Sequence, residues 1–169
     1  SSGIGGGAFI LYWDAKTKQL YSFDGRETAP KSLNSDYFIT SDGRKKSFWE
    51  AVQGGGSVGV PGTLRLMEFV HQRYGIVDWS ELFQPAIRLA RDGFLVSPRL
   101  AKSISGAQKR GLDSFPAARD YFFNEDLSPK LANSRLLNKP LAETFDLISK
   151  GGANVFYEGS LADSIVKSV

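Results

Sequence analysis

The sequence predicts an α+β chain in which an N-terminal β-hairpin is followed by mostly α-helices. Three observations carry this. Two short aromatic-rich runs, "AFILYW" and "QLYSF", flank a polar turn near the start. From Thr63 onward, apolar residues recur at three- and four-residue spacing. Prolines and glycines punctuate that second part where helices begin and stop.

Residues 3–7 are a glycine-dense lead, read as a mobile loop or as one where another backbone passes closely. "AFILYW" reads as a buried strand, residues 14–18 as a turn and "QLYSF" as the returning strand, a hairpin over about residues 8–24. Residues 25–62 form a polar, turn-rich loop region with a short helix in "SFWEAV". Residues 63–169 form the helical region. Its first helix has Thr63 as the expected N-cap, Leu64, Met67, Val70 and Tyr74 at helical spacing, and Gly75 after its end. Ser80 is the expected cap of the second, with Glu81 in its first turn and Leu82, Phe83, Ala86, Ile87 and Ala90 inside. Pro85 is placed near that first turn, and Gly93 lies past the end. Ser97-Pro98 starts a third helix running to about Arg110, and Pro116 starts a shorter one. Pro140 opens another, to about Lys150, ended by Gly151-Gly152. In "GSLADSIVKSV", Leu161, Ile165, Val166 and Val169 share a helical face with no glycine or proline to end it. With a start at Ser1-Ser2-Gly3, this leads to the expectation that residues 1–169 are a single incomplete domain, a piece of a longer protein.

The length of 169 residues suffices for one domain with a core. Lys and Arg number 21 against 18 Asp and Glu, a net charge of +3, and the basic residues are scattered. The cluster Arg44-Lys45-Lys46 sits in the polar loop and reads as solvated surface. A nucleic-acid footprint needs a basic stripe with stacking aromatics, so no nucleic-acid partner is expected. No apolar run is long enough to span a membrane, and no signal sequence is present in these residues. The absence of cysteine excludes disulfides, a thiolate nucleophile and a cysteine zinc site, without deciding the compartment.

Several motifs tempt. "GIGGGA" approaches the dinucleotide fingerprint, but a strand should precede it and a helix follow, and here a strand-like run follows. "GGSVG" places Ser57 in a G-x-S-x-G pattern. A serine nucleophile needs a histidine base ordered by an acid; the lone histidine, His71, lies only fourteen residues on inside an amphipathic helix with no Asp between. One histidine makes no metal site, and His71 reads as partly exposed helix surface. The acidic residues are dispersed, so no general acid–base pair is located. By chemistry alone the residues hold no complete catalytic machine, and no catalytic, metal or cofactor-binding residue is assigned.

One further stretch stands out, "YSFDGRETAPKSL" at residues 21–33. Arg26 follows a β-like run and precedes Pro30, so its loop is confined on both sides and well placed to hold something. From the residues alone, a surface ion pair with Asp24 or Glu27 is the preferred reading.

Taken as a set, "GIGGGAFILYWD", "DGRETAP", "GGSVGVPGTLRLMEFVHQRYG", "WSELFQPAIRLARDGFLVSPRLA" and "GANVFYEGSLADSIVKSV" resemble, in order and spacing, the middle of the large subunit of the γ-glutamyltransferase family, the glutathione hydrolases. The likeness covers nearly the whole chain and is least distinct in residues 37–53 and 111–139. It implies the αββα sandwich of the N-terminal nucleophile (Ntn) hydrolases, of which this chain would be a fragment. It implies a precursor that cleaves itself, freeing a threonine nucleophile at the N-terminus of a small subunit, with that residue's α-amino group available as base. Implied partners are glutathione or other γ-glutamyl donors, water, amino acid or peptide acceptors, and the small subunit of the same precursor. No cofactor is implied, and the implied location is extracytoplasmic. The arginine of the R-E-T-A-P motif, Arg26 here, would bind the donor's α-carboxylate. A guanidinium matches a carboxylate with a planar fork of donors that an ammonium lacks. The nucleophile is not in this chain, since Thr28 and Thr63 are interior. Relatives of the family act as cephalosporin acylases or poly-γ-glutamate depolymerases. From a different class, the alternative is a non-catalytic helical interaction module.

Overall fold

The computed structural model describes residues 3–52 and 54–169. In chain order its elements are β1 (Ala8–Asp14), β2 (Gln19–Gly25), α1 (Phe48–Val52), α2 (Thr63–Tyr74), α3 (Trp79–Asp92), β3 (Phe94–Leu95), α4 (Pro98–Gln108), α5 (Pro116–Phe122), β4 (Arg135–Leu136), α6 (Lys139–Gly151), α7 (Asn154–Tyr157) and α8 (Ser160–Ser168). The α+β reading holds: a hairpin comes first and helices dominate the remainder of the chain. Within the span expected as one domain, contacts gather around two centres, residues 1–79 with 151–169 and residues 80–150.

In the first unit β1 and β2 pair antiparallel, with Ile10 opposite Phe23 and Tyr12 opposite Tyr21. The turn is tied by Asp14, whose Oδ1 accepts from the Lys16 amide at 2.8 Å. The strand in "AFILYW" is not buried as expected. Burial alternates along it, and Phe9, Leu11 and Trp13 are 61, 71 and 58% exposed. The reason is geometric. A strand presents alternate side chains to opposite faces, and here α2 covers one face only. On that face the rings of Tyr12, Phe23 and Tyr21 lie 4.1, 6.1 and 6.2 Å from Tyr74, and Phe23 lies 6.0 Å from Phe69.

Thr63 is not the N-cap of α2. Gly62 holds that position, and Thr63 is the first helical residue, buried. The cap is a backbone group from elsewhere: the carbonyl of Gly6 accepts from both the Gly62 and Thr63 amides at 3.0 Å. The glycine lead is thus the second of its two readings, a place where backbones pass closely. At the other end Gly75 stops α2 with an extended backbone (φ −69°), its amide bonded to the His71 carbonyl at 2.7 Å.

In the second unit, α3 begins at Trp79, so Ser80 lies inside the helix and is not its cap. Pro85 consequently falls in the helix interior, not the first turn. Its ring cannot donate to the carbonyl one turn back. Nearby, the Gln84 side-chain amide donates to the Ser80 carbonyl at 3.2 Å. Ser97 caps α4 as expected, its Oγ accepting from the Leu100 amide at 3.1 Å, and α4 ends at Gln108. For α6 the cap is Asn138, whose Oδ1 accepts from the Leu141 amide at 3.0 Å. The pairing of β3 with β4 has no signature in the residue pattern; it brings Phe94 opposite Leu136 and Leu95 opposite Arg135. Val96, Ile104, Phe123 and Leu136 form the buried core of this unit, with Leu100, Leu112 and Tyr121 packed on it.

Candidate functional site

Arg26 leaves the end of β2 and enters a loop that is held from three directions. Asp24 Oδ1 accepts from the Arg26 amide at 2.9 Å, closing a tight turn. Thr28 and Val60 exchange backbone hydrogen bonds, with Thr28 N donating to Val60 O at 3.3 Å and Val60 N to Thr28 O at 2.8 Å. This joins the R-E-T-A-P stretch to the "GGSVGVPG" stretch, 32 positions apart by number (28 to 60). Beyond Pro30, the Leu33 amide donates to the Pro30 carbonyl at 3.0 Å.

The Arg26 side chain is 62% exposed, and its Nε lies 3.0 Å from Glu27 Oε2. Its guanidinium carbon stands 5.9 Å from the Phe9 ring centroid. The ion pair with Glu27 weighed on sequence grounds therefore exists, whereas Asp24 engages the Arg26 amide and not its guanidinium. Among the described residues no hydrogen bond or ion pair engages the two Nη groups, so a donor fork is presented outward. The Glu27 carboxylate is held below the usual range first by its own backbone amide. Partial burial opposes this, and the Arg26 charge and the Gly7 amide reinforce it.

Arg26 lines two cavities of the first unit. One, of about 790 Å³, is walled by Arg26, Thr28, Pro30, Tyr37, Ser57 and Tyr157 among others. The second, of about 700 Å³, has Arg26 with Ser22, Asp24, Arg65 and Phe69. Behind them a polar network ties α2 to α7. The Tyr157 hydroxyl donates to the Pro61 carbonyl at 2.8 Å and accepts from the Arg65 amide at 3.3 Å. Arg65 donates to Asn154 at 2.8 Å and pairs with Glu68 at 2.9 Å, and Glu68 accepts from the Ala153 amide at 2.7 Å. Burial pushes the Tyr157 phenol up.

The other candidates are occupied by structural roles. The Ser57 hydroxyl donates to the Val52 carbonyl at 3.0 Å. His71 Nε2 donates to the Val77 carbonyl at 2.7 Å, and its ring meets Trp79 edge-on at 5.3 Å, which pins the chain after α2. No group of three or more His, Cys, Asp or Glu side chains able to hold a metal occurs among the described residues. Sequence reasoning missed the Arg65–Glu68–Asn154–Tyr157 network. The i,i+3 spacing of Arg65 and Glu68 was a signal for that pair, but nothing local joins them to residues 85 and more positions away.

Comparison with known proteins bears on what this arrangement serves. The family pattern described as gamma-glutamyltranspeptidase matches residues 1–169. The glutathione hydrolase proenzyme of Bacillus subtilis (strain 168) is 38% identical over 168 residues, which is 99% of this chain and 28% of that protein. The crystal structure of Helicobacter pylori gamma-glutamyltranspeptidase superposes with a TM-score of 0.89 at 32% identity, covering 97% of this chain and 46% of that one. A cephalosporin acylase from Bacillus halodurans superposes with a TM-score of 0.81 at 28% identity, over 96% of this chain and 30% of that one. The chain thus spans between a quarter and a half of the B. subtilis and H. pylori relatives.

Proposed function

The chain belongs to the gamma-glutamyltranspeptidase family, and from that premise we propose that it is part of the large subunit of a γ-glutamyltransferase and glutathione hydrolase. In this reading Arg26 binds the α-carboxylate of a γ-glutamyl donor such as glutathione. The observation that carries the proposal is the outward-facing Arg26 guanidinium between two cavities, with Nε beside Glu27 and the Nη groups presented to a ligand. A carboxylate accepting from both would be fixed in position and in plane. Holding the glutamyl head orients the γ-amide for attack, the kind of positioning that turns a bimolecular step into an effectively unimolecular one. The nucleophile is a threonine outside these residues. Its hydroxyl oxygen adds to the γ-carbonyl and the amine leaves with a proton, giving a γ-glutamyl ester. Water or an amino acid then takes the acyl group. The parent protein acts outside the cytoplasm.

The test is Arg26→Ala in the full-length processed protein. Arg26 is 62% exposed without a donor; if the bound donor makes the site water-poor, removing one side of the charge pair costs about 2–5 kcal/mol, roughly 30- to several-thousand-fold in kcat/KM. Most of the loss should fall on KM, because the group lies away from the scissile bond. Arg26→Lys should recover only part, keeping the charge and losing the fork. Precursor cleavage should persist. Equal kcat/KM for glutathione in the two proteins would remove Arg26 from the site. The acylase reading shares the fold, and a guanidinium that recognises a free α-carboxylate argues only mildly for γ-glutamyl donors over it. Hydrolysis of a cephalosporin side chain in preference to a γ-glutamyl anilide would favour it.

A further inference from the structure

We infer that Glu27, seated against Gly7 of the glycine lead, is a positioning residue that sets the orientation of the Arg26 guanidinium. The inference rests on the reading of Arg26 as the donor carboxylate's partner. It begins from an asymmetry: the two neighbours in sequence are unequally placed. Arg26 is 62% exposed and Glu27 31%, with Glu27 Oε2 buried. The anion is therefore the fixed member of the pair, and the cation is the one that needs a direction.

What fixes Glu27 is backbone. Gly7 passes so close that a Cβ there would stand 2.7 Å from the Glu27 amide nitrogen and 2.8 Å from Arg26 Cα, and would strike the Glu27 carboxylate itself. Such approaches are open only to glycine. A Cβ on Gly59 would stand 2.9 Å from Glu27 Cβ, so the side chain is confined on that side too. The position of Gly7 is set in turn by the preceding carbonyl, since Gly6 O caps α2. Helix, glycine lead and carboxylate thus form one rigid seat.

The consequence for Arg26 is geometric. The contact at 3.0 Å is to Nε, the inner edge of the guanidinium. It is an ion pair without an aligned hydrogen bond, because Oε2 makes none. Engaging the inner edge restrains the rotation of a long, flexible side chain and leaves both Nη groups outward. A carboxylate bound to an Nη would instead compete with the donor. The seat thereby limits the rotamer freedom that Arg26 would otherwise lose on binding.

The experiment is a double-mutant cycle in the full-length processed protein, with Glu27→Gln as the near-isosteric change. Two probes are used: a γ-glutamyl anilide, and the 4-aminobutyryl anilide, which keeps the amine and the scissile amide but lacks the carboxylate. Glu27→Gln should raise KM for the γ-glutamyl anilide by roughly 10-fold, the scale of a small misplacement, with little change in kcat. It should not alter kcat/KM for the aminobutyryl probe. On an Arg26→Ala background it should add nothing, since it acts through Arg26. Gly7→Ala should move KM in the same direction. An unchanged KM in Glu27→Gln, an equal penalty on both probes, or full additivity with Arg26→Ala would overturn the positioning role. Failure of the underlying reading looks different, because Arg26→Ala itself would then be silent toward the γ-glutamyl anilide.

Discussion

Glu50 shows how a charged residue in a polar loop can organise its surroundings while staying exposed. Its carboxylate accepts from both Nη groups of Arg44, at 3.0 and 2.9 Å, and from the Ser47 amide at 2.8 Å. Ser47 Oγ accepts in return from the Glu50 amide at 3.4 Å, a reciprocal cap on α1. The Arg44 pair, then the Ser47 groups, lower the Glu50 carboxyl to about 2. A folded value below the unfolded one, which is about 4.3, means that the tie is complete above the unfolded value and is lost as pH falls through about 2. A side-chain carbon titration of Glu50 should therefore show a midpoint near 2, moving toward the ordinary range in Arg44→Ala. A midpoint of about 4.3 in the unmodified protein would mean that the fork is absent in solution. Arg44 was legible as a surface residue from its polar neighbours, but its partner was not, because the pair closes across a turn whose geometry single residues do not specify.

Among the elements, the junction from α3 to β3 separates what local signals decide from what they do not. Gly93 takes φ +80°, and a Cβ there would stand 2.7 Å from the Leu136 carbonyl, so the same glycine ends α3 and admits β4. Gly93→Ala should cost about 1–3 kcal/mol from the left-handed backbone alone, with the contact to Leu136 adding to it. Ser97→Ala, which removes the cap of α4, should cost about 1 kcal/mol. Urea midpoints of the two variants check the ranking, and a larger loss for Ser97→Ala would contradict the pairing of β3 with β4 at this point. The caps at Ser97 and the stop at Gly93 were readable because their chemistry is local. Ser80 and Pro85 were misplaced because α3 starts at Trp79, two residues before the start that a Ser80 cap implies; the residue that precedes the helix is Asp78, which belongs to the same capping class as Ser80, so residue type alone did not choose between them. The two-residue strands went unseen because so short a pair has no period of its own.

At the scale of the whole chain, Phe9, Leu11, Trp13 and Leu20 share the outer face of the hairpin, Trp13 opposite Leu20, and all are exposed. Val166 and Val169 are exposed on the last helix and just beyond it. A purified 169-residue chain should bind a hydrophobic dye and self-associate, as unpaired strands with an apolar face do. It should not turn over a γ-glutamyl anilide, since the Ser57 and His71 side chains are committed to backbone carbonyls. A monomer by light scattering that binds no dye, or turnover above a matched blank, would contradict these expectations. The sequence by itself determined the order of hairpin and helices, most of the helix stops, and the family, because periodicity, caps and a long ordered set of motifs are carried by the residues in line. It also singled out Arg26, through a motif. Only the tertiary structure decided that the glycine lead caps α2, that one face of β1 stays open, that Thr28 pairs with Val60, and that Glu27 sits beside the inner edge of Arg26. The cap on α2, the Thr28–Val60 exchange and the seating of Glu27 against Gly7 depend on backbones distant in sequence meeting at close range, and no local pattern encodes which carbonyl or carboxylate will be found there.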